Sequence, residues 1–448
     1  MKKITRLLLL SMLVCLTAVG NIFAQEVKDA PGKLNLQQGH VTYQVGNQAI
    51  NFYDDGGKEA PYSKEPFDGA VTFIPKDPSQ KISINLHYID VYWSEFAAKM
   101  GKTSDILIYN GRDTVGTPSA EIKDEKSGIY VSQANDGSLT VRFRSTRNGN
   151  NAGWEALVKQ IPADTPMSVN KIAIDNVYNK WSIPKLDILT KHYSIFKVNI
   201  ITEGIKPISL NNLKIAATQS YFDKAYLYKG NSKEIVEQPI ATLNVKGNKD
   251  FNFETNVPLQ TGNNYFYVVV DTDETVKDQS VKFSLSDLNV GTLTLEDATK
   301  KGLVKTTEEG QVFQTDPKLK FKLGHLTVPL DKEGYSILSE QKSAYSTSYN
   351  SAAGDRIITF VSQEEGMVVS CKFDEFNIGF NPYEKKNPSL TFYNGTKAEG
   401  EPIVAINNES EAQSYVGKDI RSNGKALTVK FTTVGELTKK IAFRGTVN

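Results

Sequence analysis

Cysteine and histidine are scarce in this chain: its 448 residues hold two of the first and four of the second. Cys15 lies in an apolar run at the N-terminus, so a mature chain keeps Cys371 alone, which excludes an intramolecular disulfide and leaves each domain to stand on its apolar core. Cys371 sits in MVVSCKF, where alternation puts it on one strand face with Val369, the position of a buried structural thiol. The four histidines are spread along the chain, with no nucleophile–base motif of a hydrolase and no set of three or four ligands at zinc spacing. Charge of one sign is lacking too. Removing residues 1 to 24 takes away three basic residues and no acidic ones, leaving 49 basic against 51 acidic, without the footprint of a nucleic-acid partner. No segment carries an apolar period of 3.6 residues over three turns, so helices should be few.

What is present begins with a leader. MKKITRLLLLSMLVCLTAVGNIFAQ has a basic start at Lys2, Lys3 and Arg6, an apolar run from Leu7 to Val19, and Ala24 before Gln25. This is the pattern of a signal peptide over residues 1–24. The run is shorter than the ~20 residues of a spanning helix, so no transmembrane segment is expected. Met12, Leu13 and Val14 precede Cys15 where lipidation needs a small residue. The expectation is an exported chain at the cell surface, in the periplasm or secreted.

Two stretches are written in nearly the same order. LNLQQGHVT, INFYDDGG, DILIYNG and LTVRFRS in the first half answer to LKFKLGHLT, YSILSEQK, SLTFYNG and LTVKFTT in the second, and His40/His325, Tyr109/Tyr393 and Leu139/Leu427 keep offsets of 285, 284 and 288. A period that long means a self-contained domain present twice, with other chain between the copies.

The strand signals are dense. VTYQV, INFYD, AVTFI, ISINLHYIDVYW, DILIYN, LTVRFRS and WEALVKQI are broken by Asp, Gly, Asn and Pro clusters, and a similar rhythm follows the linker PADTP at 162–166. The reading is all-β: three tandem β-sandwich domains over 34–161, 167–295 and 313–448. EDATKKGLVKTTEEGQ is either an exposed connection or the start of the third domain. In ISINLHYIDVYW, alternation places Tyr88 on the core face with Ile82, Ile84 and Leu86, and Tyr109 is read as core as well.

At this point the residues resemble a known family. Tyr53, Asp54, Gly56, Gly57, Tyr62, Ser63, then Asp105, Leu107, Tyr109 and Gly111, then Phe143, Ser145, Gly153, Trp154 and Ala156 follow the outline of a CUB domain of the bacterial exported type. The second copy keeps Tyr393, Asn394, Gly395, Leu427, Val429, Phe431 and Phe443, lacks the Gly-Gly turn, and carries Ser389 in place of Asp105; it resembles a divergent CUB domain. The middle segment, through Val198, Tyr228, Gly230, Asn231, Leu259, Gly262, Asn264, Tyr265, Phe266 and Asp271, resembles the β-sandwich found ahead of the propeller in exported bacterial neuraminidases. The combination is similar to exported proteins of Bacteroidetes.

The CUB resemblance implies one cofactor to weigh, calcium, bound by a Glu, the Asp that opens the Asp-x-Leu strand, and an Asp after Phe-x-Ser. Asp105 fits the second position, Asp90 or Glu95 stands near the first, and Thr146 occupies the third; the missing carboxylate argues for no cofactor, with Asp105 and Asp90 as the metal candidates. His40 and His325, one per copy, are read as hydrogen-bonding residues at a strand start. Tyr92, Trp93 and Phe96 are the ligand-binding candidates, because Trp93 lies in the irregular WSEFAAKMGKTS and stacking aromatics serve sugar and protein ligands alike. A sialidase needs an arginine triad, a Tyr/Glu nucleophile pair and a propeller with repeated Asp-box turns, and none is written here; Asn135-Asp136-Gly137 is a hairpin turn. The expectation is a non-catalytic, secreted or cell-surface binding or adhesion protein for extracellular protein or glycan. The alternatives are an accessory or N-terminal part of a sialidase or host-glycan degrading system, and a structural spacer in a surface assembly.

Overall fold

A computed structural model describes residues 27–448 apart from 124, 126, 147–150, 176, 178–184, 237, 307–310, 323, 331–333, 340–348, 351–353, 377–387, 434–435 and 438–442. The leader lies outside the described residues. Among those described, no helix is long and apolar enough to cross a membrane. Among the described residues the regular structure is nearly all strand, with three short helices, Glu95–Lys99, Leu295–Lys300 and Glu409–Ser414.

Among the described residues six sheets stack in pairs, and a short two-stranded sheet joins Tyr349–Asn350 to Glu436–Leu437. In the N-terminal sandwich one sheet runs in the order Lys28–Asp29, Gly39–Val45, Phe67–Pro75, Leu139–Ser145, Ser104–Asn110, Ala120–Ile122. Its partner runs Lys33–Asn35, Ile50–Tyr53, Gly153–Pro162, Gln80–Asp90, Gly128–Val131. The C-terminal sandwich repeats the second order strand for strand, from Leu319–Phe321 through Phe443–Val447 to Asp419–Arg421, and the first without its leading edge strand, from Gly324–Leu330 through Ala426–Thr433 to Val404–Ile406. Trp154 fills the centre of the first core against Phe52 and Phe143, at ring separations of 4.9 and 6.0 Å. Phe443 takes the same place in the second, with Phe321 at 5.1 Å and Phe431 at 5.2 Å. Cys371 is fully buried there, and burial pushes its thiol up, away from reactivity.

One register feature corrects the sequence reading. The closing strand slips by a residue between Glu155 and Ala156, leaving His87 unpaired as a bulge, and the same slip recurs between Phe373 and Glu375. A bulge reverses the parity of everything beyond it. Ile82, Ile84 and Leu86 face the core, but the inward positions then become Ile89 and Val91, and Tyr88 emerges 43% exposed. Tyr109 is buried.

The middle sandwich extends further along the chain than residue 295. Its first sheet takes in Val304–Thr306, and its second takes in Gln311–Asp316, paired with Ser280–Val290 and with Lys185–Asp187. LEDATK forms the helix Leu295–Lys300, capped by Thr294 and anchored by buried Ala298. The offset of 285 makes Phe313–Gln314 the counterpart of Lys28–Asp29, the strand that covers the edge of the first sandwich. In the second copy that segment serves the neighbouring domain, and Thr327, the counterpart of buried Thr42, is exposed.

A buried ion pair ties the middle and C-terminal sandwiches. The Lys320 ammonium bonds the Asp187 carboxylate with the two side chains only 13% and 8% exposed, Asp316 lies 3.8 Å from the same ammonium, and Lys322 is 3.4 Å from Asp187. Ile188, Tyr221 and Val276 of the middle domain pack into the C-terminal core beside it. Lys320→Met leaves buried Asp187 with Lys322 as its remaining charged partner and should lower the stability of this two-domain unit by about 2 kcal/mol, below the ~3–5 kcal/mol of a charge left wholly unpaired. Lys76→Met removes the exposed pair with Asp29 and should cost under about 0.5 kcal/mol, both read from urea unfolding midpoints.

Candidate functional site

The signature residues of the first sandwich turn out to hold its shape. Asp54 lies under the turn that opens with Gly56 and Gly57: its Oδ2 accepts the Trp154 N–H at 2.7 Å and its Oδ1 the Gly56 N–H at 2.9 Å. Gly153 has φ +106°, and a Cβ there would fall 1.9 Å from Asp54 Oδ2, so only glycine lets the closing strand approach this carboxylate. Burial pushes the Asp54 carboxyl up to about 6, against the pull of the two N–H donors. The counterpart of this turn in the second copy falls at residues 340–348, outside those described.

His40 and His325 each begin the same polar chain. Nε2 of His40 meets Thr72 Oγ1 at 2.8 Å, Thr72 meets Thr140 at 2.6 Å, and Thr140 donates to the Gly111 carbonyl at 2.8 Å. In the second copy His325–Thr359, Thr359–Thr428 and Thr428–Gly395 are each 2.8 Å. The histidines therefore hydrogen-bond within their own sheets. The threonine partners escape a sequence reading because their sequence separation hides that neighbouring strands bring them face to face.

The calcium candidates are committed elsewhere. Arg144 stands directly across from Asp105 on the neighbouring strand and grips both carboxylate oxygens, Nε at 3.2 Å from Oδ1. Asp90 accepts from Asn151 Nδ2 and the Ala152 N–H, each at 2.8 Å, and the Thr146 hydroxyl donates to the carbonyls of Gly101 and Thr103. The Glu95 side chain lies outside the described residues. A hard cation needs six or more free oxygens, whereas here a guanidinium already occupies the opening carboxylate, so this donor set does not fit calcium. Among the described residues no cluster of three or more acidic, histidine or cysteine side chains could hold a metal.

The aromatic candidates separate. The segment forms a helix, Glu95–Lys99, because Ser94 caps it by accepting the Ala97 N–H. Phe96 and Met100, four residues apart and so on one helical face, are 77% and 58% exposed. Trp93 is half-buried, with the Lys233 ammonium of the middle sandwich 4.0 Å from its ring centre, so it also links two domains. Tyr92 is half-buried, and its backbone N–H donates to the Tyr62 hydroxyl at 3.0 Å.

Two outcomes follow. Adding millimolar calcium or a chelator should leave the melting temperature unchanged, whereas Arg144→Ala, which leaves Asp105 unpaired, should cost about 1 kcal/mol after allowance for the half-exposed guanidinium. Asp54 holds its proton in the folded state between pH 3.8 and about 6, where the unfolded chain has lost it, so the native state binds more protons in that window. Stability of the N-terminal sandwich should therefore gain from Asp54 as pH falls from 7 to 5, a trend that urea midpoints will show and that Asp54→Ala should reduce, leaving the contribution of Asp55, whose carboxyl burial also pushes up.

No family model and no curated protein matches this chain. Solved structures similar to it include the CUB1-EGF-CUB2 domains of rat MASP-1, at 9% identity over 91% of this chain and 99% of that one, with a TM-score of 0.21. The CUB1-EGF-CUB2 domain of human MASP-1/3 gives 9%, 90%, 99% and 0.21 for the same measures. The full extracellular region of zebrafish Gpr126/Adgrg6 gives 9%, 62%, 33% and 0.20. The all-β sandwich assignment rests on the chain's own sheets.

Proposed function

We propose that this chain is an exported, non-catalytic binding protein, built of two CUB-like sandwiches around a neuraminidase-associated one, that recognises extracellular protein or glycan. The observation that carries the reading is the apolar ridge of Phe96 and Met100, held out from a scaffold whose other large apolar side chains are mostly buried. Exposed aromatic and methionine side chains are the residues that interfaces enrich, and a ridge fixed on a capped helix loses little side-chain entropy when it is covered. Trp93 and Tyr92 flank the helix and brace it: one carries the Lys233 contact, and the backbone of the other is tied to Tyr62. Rigid sandwiches with recognition at their ends need no cofactor for this task.

The test is capture of ligands by the mature chain from extracellular protein extracts and on a glycan array, alongside a sialic-acid release assay. Phe96→Ala together with Met100→Ala should weaken capture about tenfold or more with the melting temperature unchanged. Release of sialic acid by the purified chain would contradict the non-catalytic reading. Undiminished capture by the double variant would remove the ridge from it.

A further inference from the structure

The N-terminal sandwich meets the middle one along a narrow seam. Ser83 Oγ and Lys159 Nζ both reach Glu203 at 2.8 Å, and a Cβ on Gly262, at φ +91°, would fall 2.4 Å from the Ile129 carbonyl oxygen. Beside that seam the two sandwiches leave a cleft of about 460 Å³. In a chain that is 23% charged, none of the side chains lining it carries a charge. Its polar groups are the carboxamides of Asn110, Gln133 and Gln260 and the hydroxyls of Ser119, Thr261 and Tyr130, set among aliphatic residues such as Ile108, Leu139 and Leu259.

We propose that this cleft binds an uncharged sugar unit of an oligosaccharide, an assignment that rests on the binding role above and names the ligand class for this second site. A charged ligand would be desolvated here without a counter-charge, whereas a neutral sugar presents hydroxyls that both donate and accept. Carboxamides offer a donor and an acceptor side by side, which matches that pattern. The volume lies in the usual range for small-ligand sites, and domain junctions are where such sites concentrate.

The amides stand on fixed supports. Asn110 Oδ1 accepts the Gln133 N–H at 2.8 Å, which orients the Asn110 side chain and directs its Nδ2 donors elsewhere. The Gln260 backbone is clamped on both sides by Asn264, N–H to Oδ1 at 2.8 Å and carbonyl to Nδ2 at 2.8 Å, while its side chain is exposed. The Asn-to-backbone bond recurs in the C-terminal sandwich, Asn394 to Asn423 at 2.8 Å. The amide geometry thus belongs to the module, and docking of the middle sandwich turns this end of the first copy into a cleft.

The experiment is equilibrium binding of the mature chain to immobilised neutral oligosaccharides, ending in mannose, glucose, galactose or N-acetylglucosamine, against sialylated and uronic-acid series. A neutral oligosaccharide should bind saturably. Gln260→Ala should weaken it about tenfold, the loss of one good hydrogen bond, with an unchanged melting temperature. Gln260→Glu should weaken it at least as much. Binding of acidic sugars alone, or neutral binding indifferent to Gln260→Ala, overturns the assignment. Capture of an extracellular protein with no sugar bound overturns it while leaving the binding role standing, and failure to capture either removes both.

Discussion

The contact on which the outer sandwiches depend is the buried hydroxyl pair Thr72–Thr140 and its twin Thr359–Thr428. Each joins the two central strands of its sheet, side chain to side chain, and each is completed by a histidine at one end and a turn carbonyl at the other. A slip of one residue in this strand pair would move every inward side chain to the solvent face. It would also leave hydroxyls buried without partners, which is costly where no water can replace them. Apolar packing around Trp154 and Phe443 supplies the bulk of the cohesion, but a slip of two residues would keep its alternation. The polar chain excludes that slip as well, and with Cys371 free it supplies a constraint that a covalent bridge would otherwise provide.

The two copies have diverged where they meet the middle domain. Lys320 and Lys322 stand where the first copy has Asn35 and Gln37, and both reach Asp187 of the neighbour. The segment that covers an edge in the first copy completes a sheet of the middle domain in the second. The first copy makes its junction at another place, through Ser83, Lys159 and Glu203, and there it leaves a cleft. One module therefore presents different surfaces because its neighbour sits against a different part of it.

Much of this was legible in the sequence. Alternating strands and turn clusters specify sandwiches, the constant offset specifies a duplication, and the matched Gly-His-(Val/Leu)-Thr placed a hydrogen-bonding histidine at each strand start. What escaped has a common cause. The bulge at His87 turns Tyr88 outward, the strand Gln311–Asp316 crosses to the middle sandwich, Arg144 closes on Asp105, and Lys233 reaches Trp93. Each is decided by a partner distant in sequence, and periodicity carries no information about such partners. The helix after Ser94 escaped because it is only five residues long, too short for an apolar stripe to declare itself.

Amide hydrogen exchange of the mature chain, free and saturated with a captured ligand, tests most directly whether rigid sandwiches recognise that ligand at their ends. Slowed exchange should be confined to the helix at 95–99 and its flanks or to the turns around Asn110, Gln133 and Gln260, with the central strands equally protected in both states. Protection gained across the middle of the sheets, or no change anywhere at saturation, would contradict recognition at the ends.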